Sequence, residues 1–147
     1  KTRGHNYISV VAKPSFANLI VWKIIYETNE NYYIDAVRLG LEKKIIEGLT
    51  IDKLNVKYSF PWLDEKSQQA KDIERFRWFS NGYIALSKVN SNQIIDIRYS
   101  TLPNKGDGLW GIELNPAAEK DAHIKMVTNR KSRSETYQQL WSIIVDL

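Results

Sequence analysis

Apolar and polar positions alternate along the first forty residues. From Tyr7 to Lys13, Ile8, Val10 and Ala12 alternate with Ser9, Val11 and Lys13, a strand that Pro14 ends. Leu19 to Glu27 is rich in β-branched and aromatic residues, and Tyr32 to Leu39 follows the polar cluster Thr28-Asn29-Glu30-Asn31. That spacing predicts a hairpin over 19–39. Tyr33, Asp35, Val37 and Leu39 fall on one face, and Tyr32, Ile34, Ala36 and Arg38 on the other. Both faces carry apolar groups, so both are expected to be covered. Lys44 to Glu47 suits a strand, and Gly48 breaks any helix there.

The pattern changes after Pro61. Asp64 is a good N-cap, and Ala70, Ile73, Phe76 and Phe79 repeat every three residues, predicting a helix over about 64–80 closed by Asn81-Gly82. Tyr83–Ser87, Ile94–Ser100, Leu109–Leu114 and His123–Thr128 read as further strands, with a short helical turn at 117–121. Ser132 and Glu135 have capping-box spacing. Tyr137, Leu140, Trp141 and Ile144 then recur at i, i+3, i+4 and i+7, predicting a helix over about 133–146. Strands joined by short polar turns pair antiparallel. The expected class is therefore α+β: a single antiparallel sheet of six to eight strands with two main helices packed on it, in one domain spanning 1–147.

Composition adds limits. A chain of 147 residues suits one domain, burying roughly 70% of its unfolded surface without staples. Lys+Arg 21 against Asp+Glu 17 leaves +4, with the charges scattered. A nucleic-acid partner is not favoured, because the densest basic run, Lys125 to Arg133, makes no continuous stripe. With no Cys there is neither a disulfide framework nor a thiolate site. Of five Trp, at least two among Trp22, Trp62 and Trp110 are expected in the core, since exposing all would leave sticky patches. No apolar run approaches the roughly 20 residues of a membrane span.

Little in the chain marks a reaction. His5 and His123 are the only histidines, and no H-x-x-x-H spacing is present. His123 reads as an ordinary exposed or hydrogen-bonded residue, and Asp107 between two glycines reads as part of a turn. The densest chemistry runs from Asp72 to Tyr83, where two acids and two arginines are interleaved with Phe76, Trp78, Phe79 and Tyr83. Asp72 and Arg75 share a helix face, and Arg77 sits next to the apolar stripe. Asp35 and Asp96 are strand acids among apolar neighbours. Asp is a poor strand former, so something must hold each of them. These residues give a lattice of Arg–Asp ties, or a pocket for an anionic ligand built from Arg75, Arg77, Arg98, Trp78 and Tyr99 with Asp35 and Asp96. Full pairing of the three arginines with internal acids would argue against the pocket. No residue is singled out as catalytic or as a metal ligand.

Several segments in order carry a family resemblance. They are Lys13 to Leu19, Trp22 to Glu27, Tyr33 to Arg38, Pro61-Trp62-Leu63, Asp72 to Tyr83, Asp96 to Ser100 with Leu102-Pro103, and Leu109 to Ile112. They resemble the C-terminal soluble region of the bacterial inner-membrane-bound metal-dependent hydrolases (YdjM-like proteins). The resemblance spans about Arg3 to Val127 and contains no catalytic signature. It implies a parent protein in the inner membrane, with its own N-terminal membrane region as partner of this domain. Any divalent metal would be held in that region and no cofactor in this chain. The domain would then be an accessory one, recognising an unidentified substrate or protein partner. The first residues, Lys1 to His5, would be the stub of a linker helix.

Overall fold

The alternating pattern of the first fifty residues folds as a meander. Ser9–Pro14 (β1), Val21–Glu27 (β2), Asn31–Arg38 (β3) and Lys44–Asp52 (β4) pair antiparallel in the order β1-β2-β3-β4. The structure, a computed structural model, describes residues 4–15, 20–40, 42–100 and 108–129. The helix expected over 133–146, its capping box and Asp107 lie outside the described residues. The chain divides into two compact units. Of the described residues, 4–15, 20–40, 42–52 and 100 belong to the first, and 53–99 and 108–129 to the second.

In the first unit the two faces of the sheet differ. Val21, Ile25, Tyr32, Ile34 and Ala36 are buried, together with Lys23 and Arg38. Lys23 donates from Nζ to Ser100 Oγ at 2.7 Å. On the opposite face Trp22, Ile24, Tyr26, Tyr33 and Val37 are only partly buried, and Leu39 is exposed. Among the described residues this face is the more exposed one. Between Ile34 and Asp35 the β3–β4 register shifts, since Ile34 faces Leu49 while Asp35 faces Glu47. Gly48 is the extra residue of this bulge, and its N–H donates to Asp35 Oδ1 at 3.0 Å. A bulge leaves one backbone group outside the ladder. Here the Asp35 carboxylate takes it up, which explains an acid in the middle of a strand.

The second unit begins with a single turn of helix, Val56–Ser59 (α1), and the longer Gln68–Phe79 (α2). The N-cap of α2 is Ser67, whose Oγ accepts from Ala70 N–H at 3.2 Å. Asp64 instead accepts from Lys66 N–H and stays outside the helix. At the other end Asn81 (φ 50°) and Gly82 (φ 81°) turn left-handed. Gly82 N–H donates to Arg77 O at 2.8 Å, the C-cap expected of Asn-Gly. Ile84–Leu86 (β5), Gln93–Asp96 (β6), Trp110–Glu113 (β7) and Lys125–Thr128 (β8) form a second antiparallel sheet in chain order.

The buried face of α2 is Gln69, Asp72, Ile73 and Phe76, at i, i+3, i+4 and i+7. The expected three-residue repeat drifts off that face, because a helix turns through 3.6 residues. Phe79, its last member, is 56% exposed. Ile73 and Phe76 pack with Phe60, Ile84, Ile94, Ile112 and Leu114 as one core. Gln69 pins the segment after β7, donating to Asn115 O at 3.0 Å and accepting from Asn115 N–H at 2.9 Å. Gly111 is required where β7 crosses β6, since a Cβ there would run into the Ile94 carbonyl.

Two expectations are corrected. The one sheet of six to eight strands is two sheets of four. The stretch 53–83 carries the chain through both helices, and β5 then starts a new ladder with β6 rather than extending β4. None of Trp22, Trp62 and Trp110 is fully buried. Trp22 stands on the open sheet face, Trp62 meets Phe60 edge-on at 5.8 Å, and Trp110 tilts against Tyr99 at 5.0 Å. Isoleucine fills most of the interior instead. No helix among the described residues is long and apolar enough to cross a membrane.

Candidate functional site

The open face of the first sheet holds a groove of about 670 Å³. Strand pairing builds it directly. Ala12 faces Ile24, which faces Asp35, while Pro14 faces Trp22, which faces Val37. These side chains share a face because strand side chains alternate with period two. Val10, Ile45 and Leu39 extend the apolar lining, and Lys43 adds a cation. One end is aromatic: Tyr26 and Tyr33 stack at 4.8 Å with 9° between planes, and His5 lies 4.5 Å from Tyr33. The pair is a cross-strand neighbour pair, so β2 and β3 themselves set the stack. Asp35 lines the groove although only 3% of it is exposed. A volume of this size is typical of small-molecule sites.

The sequence-predicted residues are placed as follows. Asp35 belongs to the first unit, and Arg75, Arg77, Trp78, Asp96, Arg98 and Tyr99 to the second. Arg98 and Asp96 form a buried pair, with Nε to Oδ1 at 3.0 Å and Nη2 to Oδ2 at 2.7 Å. The same guanidinium donates from Nη2 to Phe79 O at 3.0 Å, at the C-terminal end of α2. Hydrogen bonding to Asp96 raises the Arg98 pKa further and keeps the group charged. Arg98 lies 5.2 Å from the Tyr99 ring centre. Arg77 pairs with Glu74 at 3.2 Å and is partly buried, as expected of the arginine beside the stripe. Arg75 reaches Asp72 at 3.3 Å but is 73% exposed, and Trp78 projects outward at 83%. Each of the three arginines thus holds an internal acid. Arg75 and Arg77, two positions apart on a helix, do not share a face.

The Asp72–Arg75 pair expected on one helix face forms, and a residue that the sequence did not join to it, His123, completes a constellation centred on Asp72. This nearly buried carboxylate accepts from Gln68 Nε2 at 2.9 Å, Arg75 Nη1 at 3.3 Å and Ile124 N–H at 3.3 Å, and Oδ2 meets His123 Nδ1 at 2.8 Å. Burial pushes its pKa up, but the bonds from Gln68, His123 and Ile124 outweigh that and hold it below the ordinary 3.8. Asp72 is therefore ionised and accepts, so His123 Nδ1 donates in this contact. Beside the dyad a notch of about 340 Å³ is lined by Phe76, Phe79, Ile112, Ile124 and Met126. Asp72 and His123 are 51 residues apart, so no local spacing joins them.

Among the described residues, no three His, Cys, Asp or Glu side chains gather into a group able to hold a metal ion. No protein-family model matches the chain, and neither does any curated protein or any solved structure.

Proposed function

We propose that this chain is a recognition module that binds a small, largely apolar ligand in the groove of the first sheet. The observation that carries the reading is a nearly buried carboxylate among the mainly apolar and aromatic residues that line the groove. Apolar walls supply burial, and a carboxylate among them supplies orientation. The ligand class is an aromatic or aliphatic molecule bearing a cationic or strongly donating group that meets Asp35. The test is titration of the chain with phenethylamine and with hydrocinnamate, followed on the Trp22 indole resonance. Saturable binding of the amine, weakened about tenfold by Asp35→Asn, is expected. Equal response to the acid, or indifference to the substitution, refutes the reading.

The ordered segments that resemble the membrane-bound metal-dependent hydrolases support a wider proposal. The module would serve a longer bacterial inner-membrane protein, recognising substrate or partner while metal and reaction reside in that protein's membrane region. Reading the coding sequence upstream of Lys1 tests this. Several apolar spans of about 20 residues carrying His and Asp would support it. A start codon or secretion signal directly before Lys1 would end it.

A further inference from the structure

We propose that the Asp72–His123–Arg75 cluster and the notch beside it form a second binding site, one that takes an aryl phosphate monoester. The argument begins with the two groups that face outward. Arg75 Nη1 and His123 Nδ1 bond to different oxygens of one carboxylate, Oδ1 and Oδ2, so the same acid anchors both. Asp72 fixes both and is itself nearly buried behind them. The remaining guanidinium N–H groups and Nε2 of His123 make no hydrogen bond among the described residues and are left for a ligand. The His123 side chain is 67% exposed and the Arg75 side chain 73%. Lys125 shares the adjoining depression with His123, so a further cation flanks the position.

Proton bookkeeping selects the head group. A neutral imidazole with its proton on Nδ1 can only accept at Nε2, and a protonated one can only donate there. A carboxylate or sulfate carries no proton near neutral pH and suits only the protonated ring. A phosphate monoester, with its second pKa near about 6, offers either P–OH or P–O⁻ and matches both states. Its other oxygens fit the guanidinium fork.

The notch selects the rest of the ligand. Phe76 and Phe79 stack at 6.4 Å, and Phe79 and Met126 are both more than half exposed beside the dyad. An aromatic ring attached to the phosphate would cover that ledge, and sulfur and aromatic faces favour such a ring.

The experiment is isothermal titration of the full chain with phenyl phosphate, inorganic phosphate and phenyl sulfate. Saturable binding of phenyl phosphate is expected, with inorganic phosphate and phenyl sulfate each at least several-fold weaker. Arg75→Gln should weaken phenyl phosphate about tenfold. Phe79→Ser should abolish its advantage over inorganic phosphate. Both substituted residues are exposed, and a thermal melt of each variant confirms an intact fold. The proposal is overturned if phenyl phosphate fails to saturate, if either control binds as tightly, or if Arg75→Gln leaves affinity unchanged. Asp35→Asn should have no effect in this titration, which separates the site from the groove of the first sheet.

Discussion

The two sheets are built from the same parts and end differently. Each has four antiparallel strands in chain order. The second has α2 laid on it, and its inward residues Ile84, Ile94 and Ile112 join Ile73 and Phe76 in one core. The first keeps a half-open apolar face with a carboxylate in it. Each sheet also buries an aspartate. Asp96 is inaccessible and closed by an arginine, whereas Asp35 accepts from a backbone N–H of a bulge and lines a groove. Asp96 is a tie within its unit, and Asp35 both secures a bulge and lines a groove. That contrast separates structure from function in this chain better than residue type does.

The sharpest way to break the comparison is to remove the partner of Asp96. Arg98→Ala leaves a fully buried carboxylate without its cation and frees Phe79 O at the end of α2. The expected cost is about 3–5 kcal/mol. Urea denaturation followed by far-ultraviolet circular dichroism measures it. A loss below about 1 kcal/mol would mean that the pair is not a structural tie.

A second contrast is between closed and open faces. Ile73→Ala in the core of the second unit should cost about 2–5 kcal/mol, because the cavity left cannot fully collapse. Ile24→Ala on the open face removes the same atoms from a half-buried position and should cost about 1 kcal/mol. Equal costs in the same denaturation series would show that the open face is covered in solution.

Asp72 gives the comparison a pH dimension. Its folded-state pKa lies below the ordinary 3.8. The unfolded chain therefore takes up the proton first as pH falls. The contribution of Asp72 is fully present above the unfolded value and is lost as pH drops through the folded value. Asp72→Asn should lower stability near neutral pH and flatten this acid-side decline. Melting temperatures from pH 7 down to pH 2 check it. An unchanged acid slope would contradict the linkage.

How much of this was legible follows from the range of each interaction. The β2–β3 hairpin was readable, because alternation and a polar turn are local signals. The identity of the sheet that each later strand joins was not, since alternation states a face and never a neighbour. The α2 stripe was misplaced because two polar residues, Gln69 and Asp72, occupy buried positions. Their partners, Asn115 and His123, come from the connection between β7 and β8, far along the chain. The demand that strand acids be held was readable at Asp35 and Asp96, and each holder was found. Arg98 stood two residues away in plain view. The N–H of Gly48 became a partner only through a bulge that no residue pattern announces.

The smallest effect expected tests that last point. Asp35→Asn keeps an oxygen in place to accept from Gly48 N–H, while Asp35→Ala leaves that bulge donor unsatisfied. An unpaired buried donor costs about 1–3 kcal/mol, so alanine should be the more damaging by at least about 1 kcal/mol. Amide exchange at Gly48 should rise sharply in the alanine variant and little in the asparagine one. If the two variants are equally stable and Gly48 exchanges alike in both, the carboxylate does not hold the bulge. Asp35 would then be retained only by what enters the groove. If they differ as expected, the Asp35 carboxylate shapes the strand by holding the bulge, whatever else it meets in the groove.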